Sequence, residues 1–126
     1  MAAISVRPDD VALRLTAPAA DLHAAIYALR DAAGAVVPVR GSPGVGIVYA
    51  ALSGRTSPRR ASAILDAVRG VLLARGGTCV VLAAPPRIRS AIDLWGHRGS
   101  MPLLRQVKER FDPDGRLAPG RYIGGL

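Results

Sequence analysis

A glycine-rich turn, one cysteine, two histidines and a large set of arginines are the residues of this chain whose types could do chemistry. Gly41, Gly44 and Gly46 invite a phosphate-cradling loop, but a dinucleotide fingerprint needs a strand before the glycines and a helix after them. Here the apolar run Gly46 to Leu52 follows and reads as a strand, so these are expected to be hairpin glycines. Cys79 would be a nucleophile only beside a base; it sits inside an apolar stretch, where a thiol is ordinarily inert packing. His23 falls next to the apolar face of a predicted helix and reads as a rim residue, whereas His97, in a predicted loop after Trp95-Gly96, has the better claim to function. The two histidines lie too far apart for a local ligand motif, and no paired carboxylates, triad or metal cluster can be assembled. No residue is assigned a catalytic role and no metal is expected.

The remaining candidates are cationic. Seventeen basic against nine acidic side chains leave a formal charge of +8, and every base but Lys108 is arginine. Such a balance favours polyanions through non-specific attraction. The arginines are nevertheless spread from Arg7 to Arg121, with one tight group at Arg55, Arg59 and Arg60, and a single-strand reader would need several aromatic stacking platforms on its sheet. Among the predicted strands only Tyr49 supplies one, so nucleic acid is not an expected partner and a solvated or interdomain arginine surface is. A stand-alone binding module for an anionic ligand or nucleic acid remains the alternative that the charge supports.

Elements that could position these residues follow from periodicity. Val11, Leu13 and Leu15 alternate with Ala12, Arg14 and Thr16 as a half-buried strand does. Pro18 suits a first helical turn, Leu22, Ile26, Leu29 and Ala33 recur on one face, and Gly34 stops that helix. Ala35 to Val39 is a β-branched run whose Pro38 cannot donate to a ladder, which predicts an edge strand; Arg40 to Gly44 reads as the turn into the strand Gly46 to Leu52. Ser57-Pro58 opens a second helix with the stripe Ala61, Ile64, Leu65, Val68, Val71 and Leu72, and Gly76-Gly77 ends it before the strand Cys79 to Ala83. The order β-α-β-β-α-β over about residues 11–84 predicts an α+β, ferredoxin-like antiparallel sheet with helices on one face.

Residues 85–126 continue as a helical extension and an irregular tail, within what reads as a single domain. Arg87 to Leu94 predicts a short helix; Ser100 is placed to cap another in which Leu104, Val107 and Phe111 share a face, with Phe111 expected in the core and Lys108 and Arg110 solvated. Asp112-Pro113-Asp114-Gly115 has the residues of a type I turn. Beyond it Leu117, Tyr122, Ile123 and Leu126 are spaced for laying an extended segment against another surface. No apolar run is long enough to cross a bilayer and Met1 to Arg7 lacks the apolar stretch of a signal peptide, so a cytoplasmic protein is expected.

The C-terminal stretch Asp93-Leu-Trp-Gly96, Met101, then Val107-Lys-Glu-Arg-Phe-Asp-Pro-Asp-Gly-Arg-Leu-Ala-Pro-Gly-Arg121 resembles the end of FAD-linked oxidases, most closely the FAD-binding subunits of bacterial glycolate oxidases. The β-α-β-β-α-β pattern is similar to that family's C-terminal ferredoxin-like cap. One departure is Ala118, where the family commonly places a turn-forming asparagine before Pro119. The resemblance implies an upstream FAD-binding domain that this chain lacks, other glycolate oxidase subunits as partners, a small 2-hydroxy acid as substrate, and a membrane-associated electron acceptor reached through partner subunits at the inner membrane. FAD would belong to the complete protein, and this piece would be inactive alone. Within it, Arg121 becomes the candidate for a cofactor, substrate or interdomain contact, and Trp95 and His97 become the candidate substrate-side residues.

Overall fold

The computed structural model describes residues 6–97 and 99–126. Met1–Ser5, on which the reading of the N-terminus partly rests, lie outside the described residues. The chain divides into two compact units, Met1–Gly96 and His97–Leu126.

The first unit contains a four-stranded antiparallel sheet in the order β2-β3-β1-β4, built from β1 (Val11–Thr16), β2 (Val39–Ser42), β3 (Ile47–Leu52) and β4 (Thr78–Ala83). The helices α1 (Leu22–Ala33) and α2 (Pro58–Leu73) join alternate strands, which makes the unit a ferredoxin-like α+β fold. Alternation decides which face is covered: Val11, Leu13 and Leu15 are fully buried and cluster with Leu22, Ala25 and Leu29 of α1 and with Ala61, Ile64, Leu65, Val68 and Leu72 of α2. Burying each large apolar side chain contributes about 1.5–3 kcal/mol, so this one-sided core is the main stabilising term.

Local chemistry agrees with the element ends. Ser57 Oγ accepts from Arg60 N–H at 3.2 Å and caps α2, with Pro58 in its first turn. Gly34, at φ 66°, closes α1 with its N–H donating to Arg30 O and Asp31 O.

Strand β2 departs from expectation. It occupies Val39–Ser42 instead of Ala35 to Val39, and the turn shrinks to a short 3-10 segment at Pro43–Val45. Register explains the shift, because Val39 pairs with Ala50 and Ser42 with Ile47, so Arg40 to Ser42 are strand residues. Pro38 still stands at the edge, its carbonyl accepting from Ala51 N–H at 3.4 Å. A Cβ on Gly41 would run into the Ile47 carbonyl, so glycine permits the close approach of these two strands.

After β4 the expected helix is only one turn long, α3 (Pro86–Arg89). The chain beyond is drawn along the edge of β4: Val81 N–H donates to Leu94 O at 2.8 Å, and Asp93 Oδ1 accepts from Trp95 N–H at 3.0 Å. The guanidinium of Arg69 closes the same edge with two bonds to the Cys79 carbonyl, at 3.1 and 3.0 Å. Those contacts replace the helical bonds the segment would otherwise make.

The second unit consists of α4 (Met101–Phe111) and the tail, with a short 3-10 turn at Ile123–Gly125. Ser100 does not cap α4 through its side chain; its backbone, at φ −84° and ψ 4°, is not the extended conformation that brings a cap oxygen onto the helix. Phe111 is 80% exposed, so it is not a core residue, and α4 carries no buried residue at all.

Candidate functional site

The sheet face turned away from α1 and α2 brings together side chains that are distant in sequence. Tyr49 of β3 pairs with Arg14 of β1 on one side and with Arg40 of β2 on the other, giving a cross-strand row Arg40, Tyr49, Arg14 that continues to Val80 of β4. The adjacent row is Ser42, Ile47, Thr16 and Thr78, which places three hydroxyls beside the first row. Tyr49 is 45% exposed, Arg40 is exposed and Arg14 is half-buried. The four strands contain no acidic residue, and among the described residues neither arginine has a carboxylate partner. An opposite-charge neighbour would stabilise either arginine across the strands, and here both have a phenol in that position.

A second candidate lies within the second unit. A groove of about 410 Å³ is lined by Leu104, Val107, Leu117, Tyr122 and Leu126 along its apolar walls, with Lys108 and Arg121 contributing charge. One acid organises it. Asp112 sits at the end of α4 with Lys108 Nζ 2.6 Å from its Oδ2, and it accepts backbone N–H bonds from Arg116 and Leu117 at 2.8 and 2.9 Å. The Lys108 hydrogen bond, then those from Leu117 and Arg116, hold its carboxyl down at about 2 from an ordinary 3.8. Gly115 N–H donates to Asp112 O at 3.1 Å, which is the turn expected of Asp112-Pro113-Asp114-Gly115. Lys108, expected to be solvated, is instead a clamp, because its Nζ also donates to Leu117 O at 2.8 Å.

The residues singled out from sequence do not gather in one place. Arg121 is exposed and lines the apolar groove; His97 belongs to the same unit, is exposed, and does not line that groove. Trp95 belongs to the first unit, half-buried at the turn closed by Asp93. His23 stands exposed on α1 with its ring edge-on to Tyr27, the centroids 6.4 Å apart. Cys79 is buried on the core face of β4; desolvation pushes its thiol up to about 11 despite the nearby Arg69 charge, so it is not a nucleophile at neutral pH.

Reasoning from sequence passed over Arg14 and Arg40. The alternation of β1 did place Arg14 opposite the buried leucines, but Arg40 was read as a turn residue, and only the register of β2 on β3 puts it beside Tyr49.

Of the groups that could hold a cofactor, a flavin pyrophosphate would need a glycine-rich loop leading into a helix. Gly41 and Gly46 instead close the β2–β3 hairpin, where a Cβ on Gly46 would meet the Ala17 carbonyl. That hairpin therefore does not fit the role of a dinucleotide-gripping loop. Among the described residues there is also no cluster of His, Cys, Asp or Glu able to hold a metal, and no helix long and apolar enough to cross a membrane.

Compared with protein-family models, with curated proteins and with solved structures, the chain matches none.

Proposed function

We propose that this chain is the cap and substrate-side part of a glycolate-oxidase-like, FAD-dependent oxidoreductase that converts a 2-hydroxy acid to a 2-oxo acid, and that it is inactive without its flavin-binding companion. One observation carries the reading. The second unit leaves Leu103 61%, Val107 47%, Phe111 80%, Leu117 67% and Tyr122 52% exposed. An eleven-residue helix with no fully buried residue is marginal in water, and an exposed apolar stripe of this kind marks a surface that another body covers. The tail that shares this stripe is the segment whose residues resemble the end of FAD-linked oxidases, so a flavin-binding domain is the occupant the reading commits to.

In the complete assembly the flavin would accept the hydride, and its grip would come from the companion domain. This chain would contribute binding and orientation of the substrate, exclusion of water, and the docking contacts of α4 and the tail. Arg121, at the groove and near the chain end, is suited to an ion pair or substrate contact across that junction.

The test is purification of the chain alone and after co-expression with the FAD-binding domain of a bacterial glycolate oxidase. The expected outcome is a colourless chain alone and a yellow, co-purifying complex whose flavin is reduced by glycolate, with Leu103→Asp and Phe111→Asp abolishing co-purification. Flavin retained by the isolated chain, with absorbance near ~450 nm, overturns the reading, and so does failure of the two proteins to associate.

A further inference from the structure

We propose that the sheet face carrying Arg14, Arg40 and Tyr49 is a binding site for a small carboxylate. The site follows from register. Arg14 and Arg40 each pair directly with Tyr49, so their backbones stand two strand spacings apart, roughly 10 Å, with the phenol between them. Two long guanidinium side chains from that separation can converge over the ring, each offering a planar fork that matches the two oxygens of a carboxylate. The phenol hydroxyl supplies a further donor at the centre. Ser42, Thr16 and Thr78 in the neighbouring row add hydroxyls for a polar substituent on the ligand, and Val80, which continues the first row beside Arg14, is buried and bounds the site on that side.

Charge points the same way. Two guanidinium groups flank one residue, and among the described residues neither has an ion-pair partner. An anion seated between them gains from both charges without displacing an existing ion pair. A single aromatic gives no run of stacking platforms, which favours a compact anion over a nucleic-acid strand.

The assignment of the carboxylate as that of a 2-hydroxy acid rests on the function proposed above; carboxylate binding itself does not. The experiment therefore omits flavin. The full chain, labelled with nitrogen-15, is titrated with sodium glycolate at constant ionic strength, with sodium acetate and a single-stranded oligonucleotide in parallel. Saturable shifts are expected at residues 14, 40, 42 and 49, with the dissociation constant for glycolate raised about tenfold or more in both Arg14→Gln and Arg40→Gln. The exposed α2 residue variant Arg59→Gln should bind as the parent does. Absence of saturable shifts overturns the site, as does equal weakening by Arg59→Gln, or oligonucleotide binding at these residues that glycolate does not displace. Acetate binding as tightly as glycolate keeps the carboxylate site and removes the hydroxy-acid assignment. Spectra of the variants that retain the parent's dispersion establish that a loss is not unfolding.

Discussion

Lys108 and Asp112 stand one helical turn apart at the end of α4, Nζ to Oδ2 at 2.6 Å, and the same pair fixes the chain that leaves the helix. Asp112 receives the N–H groups of Arg116 and Leu117 while Lys108 donates to the Leu117 carbonyl, so one carboxylate and one ammonium specify the path of the tail.

That clamp is acid-sensitive. The carboxyl is held at about 2 against an ordinary 3.8, so the folded form favours the charged state and the stability it confers is present above pH ~4. It is lost as pH falls through the folded value. Amide exchange at Arg116 and Leu117 should accelerate between pH ~4 and ~2, beyond the intrinsic pH effect seen at exposed reference amides. Asp112→Asn should show the fast exchange already at neutral pH; unchanged protection there removes the clamp.

Ala118 occupies φ 42°, a left-handed conformation that costs a residue bearing a Cβ on the order of 1 kcal/mol. Ala118→Asn should be neutral to stabilising by roughly 0.5–1 kcal/mol for the tail, since Asn tolerates that region. Ala118→Val should loosen the turn. Exchange protection of Arg121, whose N–H donates to Ala118 O at 3.2 Å, reads the difference.

Arg69 joins α2 to the edge of β4 through its two bonds to Cys79 O. Replacement by Met keeps much of the stem packing and orphans that carbonyl, at a cost of about 1–3 kcal/mol. Denaturant titration should place Arg69→Met in that range and Arg69→Lys between it and the parent, because an ammonium cannot reproduce the fork.

Cys79, buried and with its thiol pushed up to about 11, should resist alkylation at pH 8 in the native chain and react promptly in denaturant. Rapid native labelling would mean that β4 opens readily.

Two large apolar side chains on different elements give opposite expectations. Leu29→Ala removes a fully buried residue of α1 and should cost about 2–5 kcal/mol. Phe111→Ser removes a residue 80% exposed and should change stability by no more than about 0.5 kcal/mol while raising solubility. Equal destabilisation by both would place Phe111 in a core after all.

The ferredoxin-like order was legible in the sequence because its carriers are local. Leu13 and Leu15 alternate with polar neighbours, Ser57-Pro58 announces a helix start, Gly34 announces a helix end, and Pro38 excludes an interior strand; each signal depends on a few adjacent residues and on backbone sterics. The extent of β2 was not legible, since strand pairing is settled by a partner elsewhere in the chain, and Val39 opposite Ala50 moved three presumed turn residues into the sheet. The same held for the single turn of α3, where the Leu94 carbonyl is taken by Val81.

Amino-acid order alone therefore determined the element types, the buried stripes and the two-helix, four-strand arrangement, because hydrophobic period and capping act within a few residues. Tertiary structure decided that Arg14, Tyr49 and Arg40 share one row and that Phe111 is bare. Those facts arise from contacts between segments far apart in sequence or from their absence, and no local periodicity encodes which side chains will meet across a sheet.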